Sequence, residues 1–375
     1  MRTLIRNARL VSPGWETLGS LLLEDGKISA STDHGADEIV DAAGRIVMPG
    51  FIDIHSHGAD GDDVCDGTVE AIHRIGQRKL QEGVTTWLPT TLTQPKERLR
   101  EVVEIIEKAK GQVRGPGMPG IHLEGPFINA TKAGAQNQQF VRPPDVEEMK
   151  ALHAISPLKI LSIAPEMPGA LEVIAEATRF GIVSSAAHTA ATHADILAAK
   201  QSGLRHLTHF GNAMSPLHHR EIGVVGAGFL DDDLMLELIC DGVHLSDEML
   251  RLIFKTVPIE RLMLITDSVA ASWREDGPMK LGGLDAVITG GIVRLKENGA
   301  LAGSTLRFNE GLRHVATLTG LPQAELVKTT SWNQARSLGL TDAGKLEPGF
   351  AADIVMLNDD FSVWGTWVGG EKVFG

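Results

Sequence analysis

The feature that most constrains the fold is a repeated alternation of short apolar runs and amphipathic stretches between residues 51 and 266. A short apolar run bounded by turn residues is typical of a buried strand, and alternation with helical periodicity favours a parallel sheet covered by helices. Eight strands are predicted: Phe51–His55, Val84–Leu88, Ile121–Leu123, Ile160–Ala164, Ile182–Ala187, His206–His209, Leu236–Cys240 and Leu262–Thr266. Eight alternations over this length predict an α/β fold, the (β/α)8 TIM barrel.

Helical periodicity lies between most of these strands. The predicted helices are Val69–Gln81, Pro95–Lys110, Asp145–His153, Ala170–Phe180, Thr192–Gln201 and Ser246–Thr256. The stretch Asn212–Gly228 reads as a long loop after the sixth strand, and two helices, Leu306–Leu318 and Gln323–Leu338, are expected after the eighth.

The two ends of the chain show a different pattern. Short strands separated by turn signals, such as Glu24-Asp25-Gly26, lie between residues 3 and 48 and again between 346 and 374. Chain termini often lie close together in a domain. We therefore expect residues 1–49 and 342–375 to form one small β-sandwich domain, and residues 50–341 to form the catalytic barrel.

Charge and cysteine content exclude several classes of protein. A formal net charge of −13 without a basic patch argues against a nucleic-acid partner. Two cysteines, Cys65 and Cys240, are too few for a disulfide framework and fit a reducing compartment. No apolar run is long enough to cross a membrane, and the first residues lack a signal-peptide core. We expect a cytoplasmic protein.

Reactive side chains recur at the predicted carboxyl ends of strands, where barrels of this type build their active sites. His55 and His57 end the first strand, and side chains two residues apart on a strand point the same way. Glu124, His188, His209 and Asp267 end the third, fifth, sixth and eighth strands. Each alone could be an ordinary packed or turn residue, and the HxH pair alone is a weak signal. Together they predict a site for Zn, Fe, Co or Mn rather than an all-oxygen Mg or Ca site.

A divalent ion at this position would lower the pKa of a bound water to about 7 and so supply a hydroxide nucleophile. A carboxylate beside the ion could then take the proton and deliver it to the leaving group, and Asp267 is the candidate. Hydrolysis at a carbonyl or amidine carbon is the reaction class that these residues favour. The alternative from a different class, a non-catalytic paralogue, predicts loss of ligands that this sequence retains.

Six segments resemble the amidohydrolase superfamily and, within it, the N-acetylglucosamine-6-phosphate deacetylases, almost from end to end. They are Pro49–Gly58, His122–Phe127, Thr208–Pro216, His219–Glu221, Asp241–His244 and Leu301–Ser304. The HxH pair indicates only the superfamily. The segments His122–Phe127 and Asn212–Pro216 are specific to the deacetylases, and other amidohydrolases, such as cyclic-amide hydrolases and aminohydrolases, usually lack them.

The resemblance implies a role for each matching residue. Glu124, His188 and His209 would ligate the main metal, Asp267 would be the catalytic acid and base, and His55 and His57 imply a possible second ion bridged by Glu124. Substrate would be bound by a further set of side chains and backbone groups: Asn212, Ala213, Arg220 and His244. In the family the arginine reaches the substrate phosphate from the neighbouring subunit, which implies a homodimer, and a guanidinium suits a phosphate geometrically.

Two positions depart from the family pattern. Gln136 stands where a histidine usually contacts the acetyl carbonyl, and glutamine can donate a hydrogen bond but cannot carry charge. Gly211 replaces a bulky residue before Asn212 and would widen the pocket. Both are expected to affect substrate choice, and a preference for N-acetylgalactosamine 6-phosphate over the glucosamine epimer stays open.

Overall fold

The computed structural model describes residues 2–31, 35–111 and 115–375. Its centre is an eight-stranded parallel sheet whose strands follow one another in chain order. The strands are Phe51–Ser56, Val84–Thr91, Ile121–Glu124, Leu158–Ile163, Val183–Ala186, Leu204–Leu207, Met235–Ile239 and Leu262–Ile265. The Asp267 N–H donates to the His55 carbonyl at 2.8 Å, and a Ser56–Ser268 bridge joins the same two strands. These contacts close the sheet and confirm the predicted (β/α)8 barrel.

Helices cover the outside of the barrel. They are Val69–Gln81, Lys96–Ala109, Val146–Ile155, Ala170–Arg179, His193–Ser202, Gly223–Leu230, Asp247–Thr256, Phe308–Thr319, Gln323–Leu326 and Trp332–Leu338. The first begins at Thr68, whose hydroxyl accepts the Ala71 N–H, and it buries Ile72 and Ile75 against the sheet. This capping and one-sided burial is the usual basis of an outer helix.

Two local predictions were wrong. The segment predicted as a loop after the sixth strand contains the helix Gly223–Leu230, which is apolar all round and buried, so it carries no amphipathic period to detect. The last predicted helix is interrupted between Leu326 and Trp332. There the hydroxyls of Thr329, Thr330 and Ser331 donate to the carbonyls of Leu326 or Val327, and such local bonds compete with a continuous helix.

The terminal segments, expected to form a β-sandwich, share one eight-stranded mixed sheet. Its strands are Arg2–Ser12, Trp15–Glu24, Lys27–Ile28, Glu38–Asp41, Ile46–Pro49, Ile354–Leu357, Val363–Val368 and Glu371–Phe374. The two halves meet where Ile46–Pro49 pairs antiparallel with Ile354–Leu357. Ile5, Leu23, Ile354 and Trp367 belong to the core of this sheet, which forms a cluster separate from the main barrel core.

A three-stranded antiparallel sheet, which the sequence analysis missed, follows the eighth barrel strand. Its strands are Gly277–Leu281, Leu284–Thr289 and Ile292–Leu295. Gly290 and Gly291, at φ 58° and 75°, form the tight turn between the last two, a turn that requires positive φ at both positions. The sheet packs Leu281 and Ile288 against Leu92, beside the mouth of the barrel.

Within the described residues, no helix has both the length and the apolar character needed to cross a bilayer. Cys65 and Cys240 are both free thiols.

Candidate metal and substrate site

The structure brings all six of the predicted strand-end residues together at the carboxyl end of the barrel. His55 lies within the first strand and Glu124 ends the third, whereas His188, His209 and Asp267 each follow the last residue of a strand by two positions. None of the six, His57 included, is more than 8% exposed. Charged and imidazole groups are rarely buried this deeply unless they are paired or bind a metal.

Three of these residues have unusual backbone conformations. His188, His209 and Asp267 have φ values of 44°, 34° and 49°, in the left-handed region that most side chains avoid. Such conformations persist where the surrounding structure enforces them, and they cluster at functional sites. Here they turn the chain at the end of three strands, so that the side chains face the centre of the barrel mouth.

The donor atoms form two sets that share Glu124. In the first, Glu124 Oε1 is 3.3 Å from His188 Nε2 and 3.2 Å from His209 Nε2, and the two histidine nitrogens are 3.2 Å apart. In the second, His55 Nε2 and His57 Nε2 are 3.3 Å apart and lie 3.4 and 3.2 Å from Asp267 Oδ1. Glu124 also contacts this second set, through Oε1 to His55 at 3.4 Å and Oε2 to His57 at 3.2 Å.

These separations fit divalent metal coordination. Zinc binds histidine nitrogen at about 2.0–2.1 Å, and a tetrahedron with such bonds has edges of about 3.3 Å. Both sets have edges between 3.2 and 3.4 Å. Glu124 lies between the two sets. Its Oε1 faces the first set and both of its oxygens face the second, as a bridging ligand requires. The residues therefore fit one ion at the first set and a second at the HxH pair.

Hydrogen bonds at the far side of the imidazole rings orient two of these histidines. His57 Nδ1 donates to the Thr90 carbonyl at 3.1 Å, and His188 Nδ1 donates to the Lys132 carbonyl at 2.9 Å. A carbonyl oxygen can only accept, so each Nδ1 carries the proton. In the neutral ring the Nε2 lone pair is then free to bind an ion.

The electrostatics among these side chains favour positive charge near the two carboxylates. Burial alone would lower the pKa of His57, but hydrogen bonds and charges from Asp267 and Glu124 raise it to about 9. The same carboxylates raise the pKa of His55 against its burial. In turn, although burial opposes it, His55 and the neighbouring histidines hold the pKa of Glu124 well below its usual range. A divalent cation would replace these protons, so metal binding should release them.

The centre lies at the base of a cavity of about 320 Å³. The cavity is lined by ligands from both sets, by the predicted substrate residues Gln136, Asn212, Ala213 and His244, and by Leu92, Val269 and Leu281. Leu281 comes from the three-stranded sheet, which therefore forms part of the cavity wall. His244 is held by a 2.7 Å hydrogen bond from its Nδ1 to Asp241.

Gln136 has a protein partner at each end of its amide. Its Oε1 accepts the Thr93 N–H at 2.7 Å, and its Nε2 donates to Glu124 Oε2 at 2.6 Å. The side chain lines the cavity and at the same time fixes one oxygen of the shared carboxylate. The family pattern alone, which puts a substrate contact at this position, does not indicate this second role.

Arg220 does not reach the cavity of its own chain. It lies on an exposed loop, where a guanidinium nitrogen is 2.7 Å from His219 Nε2.

A second layer of polar residues, not predicted from the sequence, lies beneath the site. Lys79, Asp53 and Glu82 form a fully buried ionic group, and His122, His206 and Glu237 line the barrel interior. For two of these residues, Lys79 and Glu237, the sequence contained a recognisable signal. Lys79 lies on the apolar face of its helix, four residues after Ile75, and Glu237 interrupts an otherwise apolar strand. Burial alone would raise the pKa of Glu237, but the hydrogen bond from His206 and the nearby His55 lower it to about 2.

Comparison with known proteins agrees with this geometry. Residues 46–373 match the model of the amidohydrolase family. The chain belongs to the amidohydrolase family. Among curated relatives of this amidohydrolase, an N-acetylglucosamine-6-phosphate deacetylase of Bacillus subtilis is 36% identical over 357 residues, covering 92% of this chain and 90% of the relative. An N-acetylgalactosamine-6-phosphate deacetylase of Escherichia coli O157:H7 is 34% identical and covers 99% of both.

Solved structures extend the likeness to three dimensions. The N-acetyl-D-glucosamine-6-phosphate deacetylase of Mycobacterium smegmatis, solved as an aspartate-to-alanine mutant in complex with N-acetyl-D-glucosamine-6-phosphate, has a TM-score of 0.92 to this amidohydrolase. It is 31% identical, and the match covers 100% of this chain and 99% of that one.

Proposed function

We propose that this amidohydrolase removes the acetyl group from an N-acetylamino sugar 6-phosphate, with N-acetylglucosamine 6-phosphate as the first candidate substrate. The products are acetate and the free amino sugar phosphate. The observation that carries the proposal is the pair of ligand sets with 3.2–3.4 Å edges that share Glu124 at the base of the cavity. Metal-dependent amide hydrolysis requires such a centre, and full-length relatives named as deacetylases support the substrate class.

In this proposal Glu124, His188 and His209 hold the main divalent ion, and His55 and His57 add a second. Zinc is the first choice because nitrogen and carboxylate donors at tetrahedral spacing suit it, with iron, cobalt or manganese as alternatives. When bound, such an ion polarises a carbonyl and acidifies water.

The remaining steps belong to side chains of the protein. Asp267 accepts a proton from the attacking water and donates it to the departing amine, because its carboxylate lies at the centre and lines the cavity. Burial would raise the pKa of Asp267, but the neighbouring His55 and His57 lower it, so the carboxylate is ionised and able to accept that proton. His244, fixed by Asp241, would hydrogen-bond the sugar, and Asn212 and Ala213 would meet its phosphate end.

Arg220 would complete the phosphate site from a partner subunit, so we propose a homodimer. The exposure of Arg220 and its absence from the residues that line its own cavity support this arrangement. Free cysteines support a cytoplasmic location. We also propose that residues 1–49 with 342–375, and residues 50–341, are the two domains of the chain.

A second candidate substrate is N-acetylgalactosamine 6-phosphate. The Escherichia coli relative that matches this chain over 99% of its length carries that name. Two positions would change the epimer or acyl preference. Gln136 lines the cavity in place of the usual histidine, and the small Gly211 directly precedes the lining residue Asn212.

One assay tests the proposal. Acetate release is measured from a panel of N-acylated hexosamines with and without the 6-phosphate, alongside metal analysis of the purified protein. We expect fast release from one of the two phosphorylated epimers, loss of activity after exhaustive chelation, and recovery with Zn²⁺ or another divalent ion. Full activity in the chelated protein would remove the metal from the reaction, and no release from any sugar phosphate would reject the substrate class.

A further inference from the structure

A buried carboxylate behind the HxH pair has one oxygen without a hydrogen-bond partner. Glu237, on the seventh barrel strand, is fully buried, and its Oε2 has no hydrogen-bond partner among the described residues. That oxygen lies 3.6 Å from His55 Nδ1, which also lacks a hydrogen bond in the described part of the chain. Two unpaired polar atoms that face each other in a dry interior are costly separately and stabilising together.

The position of His55 explains why its far nitrogen matters. Its Nε2 is the atom that faces His57, Glu124 and Asp267, so Nδ1 must carry the proton if the ring is to bind an ion. Metal-binding histidines usually donate this second N–H to a carboxylate or a carbonyl, and that partner fixes the tautomer and the ring orientation. His57 and His188 have carbonyl partners, whereas the group that His55 faces is a carboxylate.

Glu237 is itself held in place from the other side. Its Oε1 accepts the His206 Nδ1–H at 3.0 Å, and His206 Nε2 is hydrogen-bonded to the Ser337 hydroxyl of the last helix. The line Ser337, His206, Glu237 and His55 therefore runs from an outer helix through the barrel interior to the ion site. The hydrogen bond from His206 holds the Glu237 carboxylate with its second oxygen directed towards His55.

A third metal site at this point is a weaker explanation. His55, His122 and Glu237 have potential ligand atoms within 4.8 Å of one another. However, both nitrogens of His122 are used, since Nδ1 donates to the Ile54 carbonyl at 2.8 Å and Nε2 is 2.8 Å from the Ser162 hydroxyl. His122 packs edge-on against His55, with ring centroids 4.5 Å apart, and so restrains the ring.

We propose that Glu237 is a positioning residue that holds His55 with the proton on Nδ1. In this way it sets the affinity of the HxH pair for the second ion. The inference rests on the proposed two-ion centre. Glu237 makes no contact with the substrate cavity. Its effect is therefore on how many ions the protein binds and how tightly, before any effect on hydrolysis.

The test is a metal titration of the chelated full-length protein with Co²⁺, followed by visible absorption and checked by elemental analysis. The variant Glu237→Gln leaves an oxygen for His206 and turns an amide N–H towards His55, where it cannot accept a proton. The variant Glu237→Asp keeps the charge but is shorter by one methylene. We expect both variants to weaken binding of the second ion by about 10–100-fold and to leave the affinity for the first ion unchanged.

Two controls assign the effect. Ser184→Ala removes an equally buried hydroxyl that has no hydrogen-bond partner among the described residues, and it should leave both affinities unchanged. In a His55→Asn background, adding Glu237→Gln should change nothing further, because the histidine that Glu237 positions is already gone.

The outcomes separate this inference from the proposed function. Two ions bound with wild-type affinities by both Glu237 variants would overturn the positioning role and leave the deacetylase proposal intact. If Glu237→Gln weakened binding of the second ion but Glu237→Asp did not, the positioning role would also be overturned. A negative charge at residue 237 would then be enough, whatever its position. A wild-type protein that binds one ion and still releases acetate would reject the second site and this inference together. If the glutamine variant does not fold, the aspartate variant alone decides.

Discussion

Substitution of Lys79 by methionine should destabilise the whole barrel, because this lysine is a charge buried beneath the ion site. Its ammonium is fully buried, and its three N–H groups are shared among four acceptors: Asp53 at 3.1 Å, Glu82 at 3.1 Å, Thr266 at 3.2 Å and Ser268 at 2.9 Å. Burial alone would lower the pKa of Lys79, but the charges of Glu82 and Asp53 raise it, so the group is a cation at neutral pH.

The magnitude follows from what the substitution leaves behind. Methionine fills most of the space of the lysine stem, so little packing is lost, but two buried carboxylates of the same sign remain without their cation. Removing one partner of a buried ion pair costs about 3–5 kcal/mol. A loss of that size is a large part of the total stability, which is about 5–15 kcal/mol for a typical domain.

The effect should extend to the ion site. Thr266 and Ser268, which share the Lys79 ammonium, lie on either side of Asp267, and Ser268 Oγ is 2.9 Å from the Ser56 hydroxyl between His55 and His57. We therefore expect Lys79→Met to weaken metal binding as well as folding.

The assay compares urea unfolding and thermal melting of the chelated wild type, Lys79→Met and Lys150→Met. Lys150 is the control because its ammonium is partly exposed and its partners are the exposed Glu147 and the partly buried Glu176, and ion pairs near the surface contribute little. Adding Glu82→Gln to Lys79→Met should recover part of the loss by removing one unpaired charge. Equal midpoints for the Lys79 and Lys150 variants would show that the buried ionic group is not a source of stability.

Three further predictions concern single side chains. Asp267→Asn should keep the ion at Glu124, His188 and His209 while kcat falls by about 10²–10⁴-fold, because the proton acceptor is lost; unchanged turnover would remove it from the mechanism. Arg220→Ala should raise KM for phosphorylated sugars far more than for unphosphorylated ones, and equal changes would exclude a phosphate contact. Burial raises the pKa of Asp353 to about 6, above its unfolded value, so the stability that its protonated form supplies is present at low pH and lost as pH rises through 6. Asp353→Asn should therefore raise Tm at pH 7.5 and lose that advantage below about pH 4, as melting curves across this range would show; an advantage that did not change with pH would contradict the titration.

Local pattern in the sequence was enough to predict the barrel and the residues at its mouth. The eight apolar runs carry the period and length of buried strands, and strand ends are set by short-range punctuation. Once a parallel barrel is inferred, its geometry brings all carboxyl ends to one face, so His55, Glu124 and Asp267 had to meet. The HxH spacing likewise places both imidazoles on the same side of one strand.

Local pattern failed where the element has little of its own period. The helix Gly223–Leu230 is apolar throughout and buried from residue 223 to residue 228, and the strands of the three-stranded sheet are short and follow an irregular turn-rich stretch. The glycine pairs Gly282-Gly283 and Gly290-Gly291 were the available signal for two hairpin turns.

The sequence alone therefore determined the class of fold and predicted the candidate ligands at the barrel mouth, because residue type and the spacing of strand ends are local properties of the chain. The tertiary structure decided which distant polar side chains lie next to each other. Gln136 fixes Glu124, Lys79 joins Asp53 to Ser268, and Glu237 faces His55 from the opposite side of the barrel. These pairings depend on the register and closure of the sheet, which no period within a single strand or helix contains.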